Sequence, residues 1–247
     1  MPVLNDAMMN GQALPNGQYG YSATRMDDLG AAEYTLVTIA NDVSPSVQAF
    51  VPEMERTLGE IVKACKLSPR ADNLLIRLVT FSSGMDETHG FKLLEGCKLQ
   101  DYANVLRIGS ATALYDAAEN VVSATTAYGQ QLTDADFGVN AIVFVITDGM
   151  DNASSFGIGE VKRALAKAVQ SEALESLVSI LVGVNVKDPQ VSQYLKQFKD
   201  EAGFTQYVEI GSADAKTLAK LADFVSRSIS TQSQSLGTGG PSQTLAF

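Results

Sequence analysis

Short, almost unbroken apolar runs alternate along this chain with longer stretches in which apolar side chains recur every three to four positions. The runs occupy residues 34–40, 74–81, 139–146 and 177–184, with shorter candidates at 88–94 and 205–210. Strands that are apolar on both faces belong to parallel sheets covered by helices on each side. The intervening stretches supply those helices. Val47, Phe50, Val51, Met54, Leu58, Ile61, Val62 and Cys65 follow the spacing of a helix with one buried face. Leu114 to Val122, Val161 to Val169, Val191 to Phe198 and Leu218 to Ile229 repeat that pattern. The alternation predicts an α/β, Rossmann-like doubly wound fold, with a mostly parallel six-stranded sheet flanked by helices. Residues 82–87 are too few for a parallel crossover, so 88–94 is predicted to be the one antiparallel strand, at an edge.

The ends lack this order. Residues 1–32 show little periodicity and are expected to form an N-terminal extension, with a short edge strand at 19–24. The domain proper is expected over 33–230. Residues 231–247 form a Ser/Gln/Gly-rich tail with too little apolar surface to order itself. The net charge of −10 argues against nucleic acid or an anionic membrane as partner, because phosphate binding needs clustered Lys and Arg. No apolar stretch approaches a membrane span, and the first residues lack the basic start and apolar core of a secretion signal. Cys65 and Cys97 are the only cysteines, expected as reduced thiols in a cytoplasmic protein.

Candidate chemistry concentrates where strands run out. Asp42, Ser44 and Ser46 follow the first run at alternate positions, Thr112 opens a helical stretch, and Asp148 follows the run 139–146. Five oxygen-bearing side chains thus lie on three loops, at least two of them beyond strand C-termini, where open α/β sheets bind ligands. Hydroxyls and two carboxylates, completed by water, suit Mg²⁺ or Mn²⁺ better than a softer metal. The competing reading makes Ser46 and Ser110 or Thr112 helix N-caps, which explains one residue per loop but not the set.

At these positions the chain resembles the von Willebrand factor A domain. Its metal-ion-dependent adhesion site has the pattern Asp-x-Ser-x-Ser, then a later Thr, then a later Asp followed by Gly. Asp42, Ser44, Ser46, Thr112 and Asp148-Gly149 match it in order, and the resemblance spans residues 33–230. It implies a non-enzymatic, Mg²⁺-dependent protein–protein interaction module. Ser44, Ser46 and Thr112 would coordinate through hydroxyls, Asp42 and Asp148 directly or through water, and a partner's Asp or Glu carboxylate would take the open position. The chain looks most like intracellular bacterial and phage members, including those of tellurite-resistance-type operons. An adaptor in a cytoplasmic stress-response or defence system is therefore expected. The alternative is a structural or assembly subunit whose tails pack between copies, with the metal site incidental. Two positions depart from the family pattern. Pro45 stands where Gly is commoner and should hold Ser44 extended, and Asn41 is polar where an apolar residue is usual, so it needs a hydrogen-bond partner or exposure.

Other candidates are weaker. Asp151 and Asn152 are expected to be exposed turn residues, and Asp116 either a solvated helix residue or a support for Thr112. His89, the only histidine, is expected at the surface, which leaves Ser44 without the base a serine hydrolase needs. No Lys, Arg or His lies in the three loop segments 42–46, 109–117 and 147–152 to stabilise charge developing on a phosphate ester. Gly157-Ile-Gly159 lacks the third glycine and the preceding strand of a dinucleotide loop.

Overall fold

The computed structural model describes residues 9–14 and 19–247. The strands are β1 (Met9–Ala13), β2 (Gly20–Thr24), β3 (Glu33–Asp42), β4 (Leu74–Phe81), β5 (Met85–Leu93), β6 (Gly138–Thr147), β7 (Leu177–Val184) and β8 (Gln206–Ile210). The helices are α1 (Val51–Lys66), α2 (Leu114–Thr133), α3 (Ile158–Gln170), α4 (Pro189–Ala202) and α5 (Ala215–Thr238). One sheet runs in the order β1-β2-β5-β4-β3-β6-β7-β8. β3 lies parallel to both β4 and β6, and β6, β7 and β8 continue in parallel.

Alternation along each central strand sends successive side chains to opposite faces. Ile39, Leu78 and Phe144 face α1 and α5. Ala40, Val79 and Val145 face α2, α3 and α4. Each large aliphatic or aromatic side chain buried this way contributes roughly 1.5–3 kcal/mol. The chain leaves β3 through α1 toward β4 and leaves β6 through α3 toward β7 on the other side. These opposed exits open a crevice beyond the C-terminal ends of β3 and β6.

Among the described residues the sheet has eight strands rather than six. Residues expected to be an extension form the antiparallel hairpin β1–β2, and β2 docks on β5 through Ala23 and Phe91. β5 is antiparallel to β4 as expected, but it is not an edge. Close approach explains this. A Cβ on Gly90 would stand 2.0 Å from the Ser22 carbonyl oxygen, so only glycine admits β2 there. The Glu87 carboxylate accepts from Ser22 N at 2.9 Å, from Ser22 Oγ at 2.7 Å and from Arg77 Nε at 2.7 Å. Arg77 is fully buried, and its guanidinium lies 5.9 Å from the centre of the Phe91 ring.

His89 is buried rather than superficial. Nε2 lies 2.9 Å from the Tyr102 hydroxyl, and burial pushes the imidazole pKa below its usual value. The Ser/Gln-rich segment also differs from expectation, because α5 runs through it to Thr238. Gln232 and Ser233 are fully buried. Gln232 Nε2 donates to Ala141 O at 3.1 Å and Ser176 Oγ at 3.0 Å, while Asn140 Nδ2 donates to Gln232 O at 2.7 Å. Hydrogen bonds to the sheet thus replace the apolar face the composition lacks. Beyond α5, Gln206 Nε2 donates to Leu245 O at 2.8 Å, and the Phe247 ring packs edge-on against Phe224. Among the described residues no helix is long and apolar enough to cross a membrane.

Candidate metal centre

The first loop begins while still tied to the sheet, with Val43 N donating to Phe81 O at 2.9 Å. Asp42 turns the chain by accepting from Ser44 N at 2.7 Å through Oδ1. Its Oδ2 accepts from Thr147 Oγ1 at 2.7 Å, across from β6. Ser44 is extended (φ −64°, ψ 164°), as the proline after it requires, and Pro45 opens a short 3₁₀ helix, Pro45–Phe50. Ser46 Oγ lies 3.0 Å from Ser44 Oγ and donates to Asp148 Oδ1 at 2.7 Å. Asp42, Ser44, Ser46 and Asp148 are therefore brought together.

The fifth residue joins through its backbone. Gly109 N donates to Val43 O at 2.8 Å, which lays the second loop along the first. Thr112 N donates to Asn152 Oδ1 at 2.8 Å, and Thr112 O accepts from Asn152 N at 2.9 Å and Ala153 N at 3.2 Å. The Thr112 hydroxyl has no hydrogen-bond partner among the described residues. None of the site hydroxyls caps a helix: the residues at the cap positions Ser44, Phe50 and Ala113 make no side-chain cap. The capping explanation of these residues thus finds no support in the geometry.

Several supports carried little sequence signal. Thr147, the last residue of β6, orients Asp42. Asn152, expected to be a plain turn residue, is exposed yet latches the second loop to the third. Asp116 is buried, with its carboxylate accepting from Ser155 N at 3.0 Å and Phe156 N at 2.8 Å. Asp151 accepts from the Ser154 hydroxyl, and its backbone N donates to Tyr194 OH at 3.2 Å. A polar residue closing an apolar run, as Thr147 does, was the one available clue. Asn41 has neither of the two outcomes expected for it, being fully buried with both amide atoms unpartnered.

The donor set fits a small hard cation. Adjacent ligands of an octahedral ion with bonds of ~2.1 Å lie about 3.0 Å apart. The Ser44–Ser46 and Ser46–Asp148 oxygen separations of 3.0 and 2.7 Å are of that size. No cluster of three or more His, Cys, Asp or Glu suited to a metal occurs among the described residues, so hydroxyls must supply much of any coordination here. The electrostatics agree. Burial pushes the Asp42 pKa up to about 6, against the hydrogen bonds from Thr147 and Ser44, and Asp148 adds repulsion. Burial also raises Asp148. Two partly desolvated carboxylates side by side call for positive charge.

No family model matches the chain, and no curated protein matches it. Solved structures do. The mussel byssus proximal thread matrix protein 1, in a form with a zinc-occupied MIDAS motif, is 18% identical with a TM-score of 0.58, covering 79% of this chain and 48% of that one. The PilB minor pilin of Streptococcus sanguinis is 14% identical with a TM-score of 0.57, covering 89% and 66%. The pilus adhesin SpaC of Lactobacillus rhamnosus GG, in its open conformation, is 11% identical with a TM-score of 0.57, covering 94% and 35%. This chain thus spans between about a third and two thirds of the length of these proteins. At such identities the likeness is one of fold, and the fold is von Willebrand factor A-like: a mixed, mostly parallel sheet flanked by five helices.

Proposed function

We propose that this chain is a non-enzymatic protein-interaction module that holds Mg²⁺ or Mn²⁺ at Asp42, Ser44, Ser46, Thr112 and Asp148 and captures a partner's Asp or Glu side chain. The observation that carries this reading is the linked set Ser44, Ser46 and Asp148, whose oxygens already stand at ligand-to-ligand spacing. Two carboxylates balance a divalent ion, so it remains attractive to a third carboxylate from outside. The Thr112 hydroxyl, on the loop that Gly109 ties to Val43, would complete the set. A catalytic reading lacks a base, because His89 is buried and bonded to Tyr102.

The adaptor role in a reducing, cytoplasmic setting belongs to the same proposal and is supported by Cys65 and Cys97, both unpaired and buried. The assembly alternative drew on tails available to other copies. Within this chain β1 and β2 pair in the one sheet and Phe247 packs on α5.

Calorimetric titration with Mg²⁺ tests the proposal. Heat should appear with the native protein and vanish with Ser44→Ala, and the melting temperature should rise with metal concentration. Absence of metal heat at millimolar Mg²⁺ in a folded protein refutes the reading.

A further inference from the structure

The rim of the metal centre is not polar throughout. Met150 is 42% exposed and Ile108 is 37% exposed. They are two of only six large apolar side chains so exposed among the described residues, and both lie on the loops that carry the candidate ligands. Their placement follows from the loops. Ile108 precedes Gly109, whose N–H is bonded to Val43 in the first loop. Met150 is two residues beyond Asp148, which accepts from Ser46 of that loop. Scattered exposed aliphatics need no explanation, but two beside a polar ligand centre do. Arg107, also exposed, is the only cation in the loops 43–50, 105–113 and 148–157. It is a local exception in a chain of net charge −10.

Resting on the interaction-module reading above, we infer that the partner presents an acidic segment in which the coordinating Asp or Glu is flanked by aliphatic side chains that cover Met150 and Ile108, with a second acid placed to meet Arg107. A bare carboxylate satisfies the ion but leaves both apolar side chains in water. An aliphatic neighbour removes that apolar area, and a second acid pairs the one cation of these loops, Arg107. Met150 suits this role because an unbranched thioether adapts to the shape it meets.

The test is selection from a library of nine-residue peptides with a fixed central Asp, in Mg²⁺ and again in EDTA. The expected result is Mg²⁺-dependent enrichment of Leu, Ile, Val or Met beside the Asp, together with a second acid. The best peptide should bind about tenfold or more weakly to the double variant Met150→Ser, Ile108→Ser. Met150→Leu should retain binding, and Arg107→Glu should abolish selection for the second acid. Mg²⁺-dependent binding with no aliphatic preference overturns the rim inference and leaves the metal-bridge reading standing. Peptide binding that ignores EDTA, or no binding, overturns both.

Discussion

At the scale of single residues, the site combines what the sequence spelled out with what packing alone decides. That Asp42, Ser44, Ser46 and Asp148 come together was legible because their type and order follow a pattern. Thr147 and Asn152 were not, since a Thr ending a strand and an Asn in a turn are commonplace until their partners are known. Asp148→Ala should abolish Mg²⁺ heat while circular dichroism stays native, because Asp148 is a loop residue whose burial already opposes its charge; unfolding of the variant would show that it is structural. Asn41→Val should stabilise the protein by roughly 1–3 kcal/mol in urea unfolding, since it removes a buried amide with no partner. His89 yields a pH prediction. Its folded pKa lies below the unfolded value of 6.5, so the folded state favours the neutral ring. That contribution is complete above pH 6.5 and is lost as pH falls, by at most about 1.4 kcal/mol per pH unit. Wild type should therefore lose more stability than His89→Gln between pH 7.5 and 5.5, and parallel losses would refute this.

At the scale of elements, the central strands and all five helices followed from periodicity, because each buries a continuous face. The misreadings share a cause: polar residues doing structural work inside the fold. β5 contains Asp86, Glu87, Thr88, His89 and Gly90, the first two of which were expected in the connection before it. Yet Glu87 and Gly90 are what attach β2. The last turns of α5 hide in the same way, since Gln232 and Ser233 look solvent-facing in sequence and are fully buried. The Arg77–Glu87 pair makes the attachment costly to break. Glu87→Ala should destabilise the protein by about 3–5 kcal/mol, because it strands a buried guanidinium; a loss below 1 kcal/mol in chemical denaturation would show that the pair is dispensable. Gly90→Ala should instead release the hairpin, seen as faster proteolysis within residues 9–24 while the rest resists.

At the scale of the whole molecule, charge and topology pull on the partner in opposite senses. The opposed exits from β3 and β6 place two carboxylates and their hydroxyls at one end of the sheet, where the proposed cation would attract acids at contact range. The net charge of −10 repels acidic partners at a distance. Raising salt should therefore speed association with an acidic partner while leaving the requirement for metal intact. Stopped-flow mixing at 50 and 300 mM NaCl, values chosen to span about a twofold change in screening length, reads this directly. An association rate that falls with salt would point to a basic partner instead.

The Ser44–Ser46–Asp148 chain has a kinetic corollary. Ser46 donates its hydroxyl hydrogen bond to Asp148, so at 3.0 Å the Ser44 hydroxyl is left as the donor to Ser46. Freeing that lone pair for a cation takes one rotation about the Ser44 Cβ–Oγ bond, a picosecond-to-nanosecond event, with no rearrangement of the loops. Loading would then be paced by how quickly the ion sheds its own water, a slow step for Mg²⁺, which dehydrates reluctantly.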